Sequence, residues 1–225
     1  DLALSGDGGY VYGETRTAVG DFSAQAGMGK PRAINEEVEI ALMGRKVPGD
    51  LESDQSYMGR FLYELDGGFV RAAVSGGEIR MSYTSAKTGD PIPSGSFRFR
   101  PLIFSAQVNG EAWTLTSEYA LREFRADGFG PADKEFTGES WYLQGSYRLA
   151  PTWEVMARYD VLYTDRKDRD GSEFEAATHQ PGFTRFARDW TAGLRWDPTN
   201  WLMLRAEYHY VDGTAWIPRT DNPDP

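Results

Sequence analysis

Ten arginines, Arg60, Arg71, Arg80, Arg98, Arg100, Arg122, Arg148, Arg158, Arg195 and Arg205, recur in segments that read as β-strands, interleaved with Glu64, Glu78, Glu118, Glu154, Asp160 and Glu207. A guanidinium stays ionised and presents its donors in a planar fork that fits phosphate and carboxylate oxygens. A face lined by these side chains therefore holds or guides anions, and no covalent step is needed. Ten arginines against six acids leave that face net positive although the chain as a whole carries −10. All five lysines, Lys30, Lys46, Lys87, Lys134 and Lys167, fall in segments read as loops, a separation of the two cations that a mixed globular surface does not require. The densest basic group that the pattern assembles is Arg98 and Arg100 with Arg122 on the adjoining strand. The plainer reading is that Arg and Glu on neighbouring strands neutralise one another.

Other chemistry has little support. His179 lies in a loop and His209 in a strand, and neither has a nucleophile motif or a metal-ligand spacing beside it. The run Asp165-Arg-Lys-Asp168-Arg-Asp170-Gly171-Ser-Glu173-Phe-Glu175 fails as a calcium loop at its third position, where Lys167 stands. Glu154 and Asp160 on one strand face are roughly 20 Å apart, beyond the roughly 5–9.5 Å of a glycosidase pair. Gly6-Asp-Gly-Gly9 lacks the helix and lysine of a phosphate-cradling loop. Without cysteine there is no disulfide framework or thiol chemistry, and the negative net charge argues against a nucleic-acid partner. The expectation is a non-enzyme without cofactor or metal.

The arginines are positioned by segments of period two, which send alternate side chains to opposite sides of a sheet. In Trp113 to Phe124, residues Trp113, Leu115, Ser117, Tyr119 and Leu121 oppose Thr114, Thr116, Glu118, Ala120 and Arg122. The segments from Trp141, Trp153, Trp190 and Leu202 repeat the pattern, and Tyr57 to Leu65 and Phe69 to Tyr83 continue it upstream. Phe97 to Asn109 is a further strand; Gly76-Gly77 and, within it, Pro101 are each expected to mark a bulge, the second shifting the alternation. Gly9 to Arg16 and Phe22 to Gly29 are two weaker strands. Asn35-Glu36-Glu37 reads as the start and Gly44 as the stop of a short loop helix. That makes ten strands.

Tight turns at Asp66-Gly67-Gly68, Asn109-Gly110, Ala150-Pro151-Thr152 and Asp197-Pro198-Thr199-Asn200 alternate with long polar loops. Short turns on one side, long loops on the other and amphipathic strands between them are the pattern of a transmembrane β-barrel. A mean hydropathy of −0.55 is compatible with that, because every second strand residue faces water. Trp113, Trp153 and Trp201 adjoin the turns, and Tyr57, Tyr83, Phe97, Phe124, Trp141, Tyr163 and Trp190 lie toward the loops, giving two aromatic levels. Residues 1–225 read as a single all-β, antiparallel transmembrane barrel domain, a mature or trimmed interior portion with at least one strand missing at each end.

Trp113-Thr-Leu-Thr-Ser-Glu-Tyr119, Glu139-Ser-Trp-Tyr-Leu-Gln-Gly-Ser-Tyr-Arg148, Tyr159-Asp-Val-Leu-Tyr-Thr-Asp165 and Asp189-Trp-Thr-Ala-Gly-Leu-Arg-Trp196 resemble strands of Gram-negative outer-membrane porins, nearest the phosphate-selective type. The resemblance implies a homotrimer of sixteen- or eighteen-stranded barrels in outer-membrane lipid and lipopolysaccharide, passing small hydrophilic and, given the arginines, anionic solutes. The chain is too short for that many strands, and the family's constriction loop is not located. Two rivals remain open: a soluble all-β carbohydrate-binding or scaffold protein, and a barrel serving as an adhesin or structural tether.

Overall fold

The alternating segments become strands, each hydrogen-bonded to the next. The computed structural model describes residues 6–31, 36–43, 45–86 and 88–217. In chain order these form β1 (Gly6–Thr17), β2 (Gly20–Pro31), helix α1 (Glu36–Met43), β3 (Asp50–Ser53), β4 (Ser56–Leu65), β5 (Val70–Thr84), β6 (Gly95–Asn109), β7 (Trp113–Asp127), β8 (Lys134–Ala150), β9 (Trp153–Tyr163), helix α2 (Ser172–Thr178), β10 (Phe186–Thr199) and β11 (Leu202–Asp212). Strands make up about two-thirds of the described residues. One antiparallel sheet runs β1-β2-β4-β5-β6-β7-β8-β9-β10-β11, with β3 beside β5 beyond the end of β4. β3 and β4 thus share one position, and the ten positions match the count from sequence. β1 and β11 do not pair, so the sheet is open and this chain does not close a barrel on itself.

Two expected bulges move. The β5–β6 ladder keeps one register from Val70↔Val108 to Tyr83↔Gly95, and β6–β7 keeps one from Ser96↔Asp127 to Asn109↔Thr114. Gly76-Gly77 and Pro101 therefore shift nothing. Proline lacks the donor that would face β5, and the strands draw close there: a Cβ on Gly76 would lie 3.0 Å from the Pro101 oxygen, and one on Gly77 2.5 Å from that of Tyr57. The irregularity lies across the ladder, at Asp54-Gln55 between β3 and β4, where the pairing to β5 steps by one residue. A fifth tight turn, Ala18-Val19, closes the first hairpin, with Gly20 at φ 127°.

Lys30 lies near the end of β2 and Lys134 begins β8, which corrects their assignment to loops; Lys46 and Lys167 are in loops, and Lys87 lies outside the described residues. Helix α1 forms where a loop helix was expected, while its expected cap Asn35 and stop Gly44 fall outside the described residues. Val38, Leu42 and Met43 of α1 pack with Val47 and Leu51 on Ile79, Met81, Tyr83, Phe97, Phe124, Ala126 and Phe129. Tyr83, Phe97 and Phe124 are therefore core residues beneath this helix, not members of an outer aromatic level.

One row of paired residues crosses the whole sheet: Arg16, Asp21, Glu64, Arg71 and Gln107 on β1 to β6, then Thr116, Gln144, Arg158, Thr191 and His209 on β7 to β11. It crosses β1 one residue from the turn end and β11 seven residues from it. With rises of about 3.3 Å per residue and about 4.8 Å between strands, the line of turns is inclined to this row, so the strands lean by roughly 25° from the normal to the line of turns. Stagger of this kind is what curving a sheet toward a cylinder requires.

The connection from Thr84 to Gly95 is held by Asp90. Its carboxylate accepts from the Tyr83 hydroxyl at 2.5 Å and from the Ala86 and Ile92 amides at 2.9 Å. Led by the Tyr83 bond, these donors hold the Asp90 carboxyl at about 2, below its usual 3.8. A depressed folded value means the ordering is fully present above the ordinary carboxylate range and is lost as pH falls through about 2. Hydrogen exchange should find the Ala86 and Ile92 amides protected at pH near neutrality and unprotected in Asp90→Asn; equal protection in the variant would remove Asp90 from this role.

Candidate functional site

The register divides the sheet into two chemically different faces. On the first, rows such as Leu65, Val70, Val108, Leu115, Gly145, Ala157, Ala192 and Tyr208 contain no charge. Trp141, Tyr159 and Trp190 form a ladder there with ring centroids 5.4 and 4.3 Å apart, and Trp153 stacks on Trp196 at 5.2 Å. These side chains are uncovered: Phe104 and Leu143 are each 47% exposed and Trp190 61%. The chain exposes 14792 Å² in all, against about 10,300 Å² for a folded soluble monomer of this mass.

Charge is excluded from this apolar face to a similar height on most of the strands. On eight of the ten strand positions its first charged residue stands 8 to 11 residues from the turn end, at Asp7, Lys30, Glu78, Arg100, Glu123, Glu139, Arg188 and Asp212; the shared β3–β4 position reaches its first charge farther out, at Glu52, and β9 carries none. At about 3.3 Å per residue and the lean of the strands, that height is roughly 24–33 Å on those eight positions.

The opposite face is polar. Of the ten arginines singled out in sequence, Arg60, Arg71, Arg122, Arg148, Arg158, Arg195 and Arg205 lie on it, with Glu64, Glu118, Glu154, Asp160 and Glu207. Arg80, Arg98, Arg100 and Glu78 do not. Arg98 pairs in register with Arg80 and Arg125, and Arg100 with Glu123, whereas Arg122 pairs with Pro101. Because the register is unbroken, an odd spacing from Arg98 or Arg100 to Pro101 puts them on opposite sides from Arg122. The expected Arg98, Arg100 and Arg122 cluster therefore does not form. Adding Asp189 and, from the first hairpin, Glu14, Arg16 and Asp21, the polar face holds at least as many acids as arginines, and the expected positive excess is gone.

Most of these arginines are already engaged. Arg71 meets Glu64 at 3.0 Å, Arg195 meets Asp197 at 3.0 Å, and Arg158 and Arg205 bind Asp160 and Glu207. The last three pairs are two residues apart on one strand, the nearest same-face spacing. That signal, Arg-x-Asp/Glu, is visible in the sequence and had been read as cross-strand neutralisation. Arg158 also lies 4.1 Å over the Tyr142 ring, and the Ser105 hydroxyl donates to Glu118 at 3.0 Å. Among the described residues Arg60, Arg122 and Arg148 make no ion pair, and the Nε of Arg122 is buried without a hydrogen-bond partner. Glu154 stands in register between Arg148 and Arg195 without an ion pair to either.

His209, given no role from sequence, belongs to a compact group. The buried Asp189 Oδ2 lies 2.7 Å from His209 Nδ1 and accepts from the Thr191 hydroxyl at 2.9 Å. Both polar groups bind the carboxylate, so the imidazole does not stand between acid and hydroxyl as a general base would. In the connection between β9 and β10, Asp168 accepts from the Glu173 and Phe174 amides at 3.1 and 2.8 Å, capping α2. Among the described residues no three His, Asp or Glu side chains converge on a metal position.

Replacing His209 with Ala leaves the buried Asp189 with one side-chain donor, so the unfolding free energy should fall by about 1–3 kcal/mol; an unchanged denaturant midpoint would show that the pair contributes nothing. No family model, curated protein or solved structure matches this chain.

Proposed function

We propose that this sheet is part of the wall of an outer-membrane β-barrel channel of a Gram-negative bacterium, through which small hydrophilic solutes diffuse passively. The observation that carries the reading is the similar height, on eight of ten strand positions, over which one face excludes charge while leaving its large apolar side chains uncovered. That height matches the apolar band of about 25 Å expected on lipid-facing strands. A soluble sheet of the same composition has no reason to stop its charges at one level on eight strands. The opposite face, with a full row of polar residues, is suited to line water.

In this reading the arginines paired along their own strands set a solvated, nearly neutral wall. Arg60, Arg122 and Arg148 are the cations left to act on a passing anion, whose field a narrow low-dielectric passage would concentrate. The preference for anions is then slight and rests on these three, not on Arg98 and Arg100. No cofactor enters this reading.

Membrane residence is tested at Leu143, midway up the apolar face. An exposed leucine in a water-facing sheet tolerates arginine, but in acyl chains Leu143→Arg should destabilise the protein by about 2–4 kcal/mol. Unfolding from lipid vesicles reads the difference, and a midpoint equal to the wild type would refute lipid contact. For selectivity, planar-bilayer reversal potentials in a salt gradient should move toward cations when Arg60, Arg122 and Arg148 are replaced together by Ala. Replacing Arg98 and Arg100 should leave them unmoved; the opposite ranking would reassign the lumen.

A further inference from the structure

Where the apolar face meets its first charges, β5, β6 and β7 bring arginines together in a way that the channel reading does not use. Arg80, Arg98 and Arg125 are direct neighbours in one row of the sheet, and Arg100 stands one row nearer the turns on the same face. Like charges directly opposite on adjacent strands repel. The acids nearby offset part of this: Glu78 is bound by both Arg80 and Arg100, Glu123 lies 3.4 Å from Arg100, and Arg125 meets Asp127 at 2.7 Å and Glu135 at 3.7 Å. Arg98, in the middle of the row, has none of them. It makes no ion pair or side-chain hydrogen bond among the described residues, and its Nε is buried without a partner.

A half-buried guanidinium between two others, with no carboxylate among the described residues in ion-pair contact with it, is an incomplete ion set. What it lacks is an anion with several oxygens, able to bridge the exposed Arg80 and Arg125 to either side. Phosphate has this form, and the arginine fork fits it bidentately. Position then selects the source. The row begins where the charge-free part of the face ends, one residue pair beyond Glu78, Arg100 and Glu123. If that part stands in acyl chains, the row is at the depth of lipid headgroups.

We propose that Arg80, Arg98 and Arg125 form a binding site for the phosphate group of an anionic lipid headgroup, centred on Arg98; this rests on the membrane reading above. Arg98 is the informative position, because removing it breaks no ion pair. The protein is reconstituted into vesicles of phosphatidylcholine containing a minority of lipid A, extracted in non-ionic detergent and weighed by native mass spectrometry for retained lipid. Wild-type protein should retain lipid A over phosphatidylcholine, Arg98→Gln should lose about ten-fold of that preference, and Arg98→Lys should recover part of it. The denaturant midpoint of Arg98→Gln in plain phosphatidylcholine should equal or exceed the wild-type value, since the substitution relieves repulsion in the row, and this separates a lost site from a damaged fold.

Equal lipid A retention by wild type and Arg98→Gln, in protein that inserts normally, overturns the site and leaves the channel reading standing. Failure of the wild-type protein to enter vesicles at all overturns both. If inorganic phosphate added to the extract displaces lipid A at concentrations matching the lipid, the site takes free phosphate and the assignment to a headgroup is wrong. Retention undisturbed by inorganic phosphate supports the lipid.

Discussion

Everything in this molecule hangs on the register of its ladders. A strand has a side-chain period of two, so a slip of one residue would exchange every apolar side chain for a polar one. One polar row runs from Arg16 to His209 through all ten strand positions, so no such slip accumulates from edge to edge. The uncovered apolar face, the polar face and the level at which charge begins are consequences of this alignment. Few buried side chains help to set it. The described core gathers at the long-loop end around α1, so along most of their length the strands are held by backbone hydrogen bonds and same-face neighbours.

That distribution makes the surroundings of the apolar face energetically decisive. Water against a face of this kind is unfavourable by about 25 cal/mol per Å² of apolar surface, and the surface exposed exceeds that of a soluble monomer of this mass by thousands of Å². The chain at both edges is also open to pairing, since β1 and β11 each lack a neighbour on one side. An unpaired, apolar edge in water invites association, and in lipid its unsatisfied amides and carbonyls are costlier still. The same two edges run antiparallel to one another, as five hairpins in sequence require. Further strands could therefore continue the sheet from either side without a change of pattern.

Much of this was legible in the sequence where the two faces differ along the whole strand. From Trp113 to Tyr210 aromatic and aliphatic residues alternate with Thr, Gln, Arg and Glu, and every assignment of face there follows the pairing. The pattern misled in β5 and β6. Above Gly76 the face with Val70, Ala72 and Val74 turns charged, at Glu78 and Arg80, while Ile79, Met81 and Tyr83 on the other face become the floor of a small core. A reader of alternation alone takes such an inversion for a one-residue bulge, because both move apolar residues from even to odd positions. Only the pairing partners tell them apart, and with them went the expected group of Arg98, Arg100 and Arg122.

If the strands cross a membrane, as proposed, the inversion has a simple physical origin that also locates it. A strand longer than the apolar layer it crosses emerges into water on its outer side and keeps that side polar, while its inner side becomes available to loops that fold back. β5 to β8 are the long strands, 15, 15, 15 and 17 residues, and the apolar floor lies on the far ends of the first three of them, beneath α1 and the segment containing Val47. β9 and β11, at 11 residues, end near the height where charge begins, and they show no inversion. Strand length and the place where the polarity of the faces exchanges thus vary together, as expected if both are set by one layer boundary and not by separate accidents of sequence.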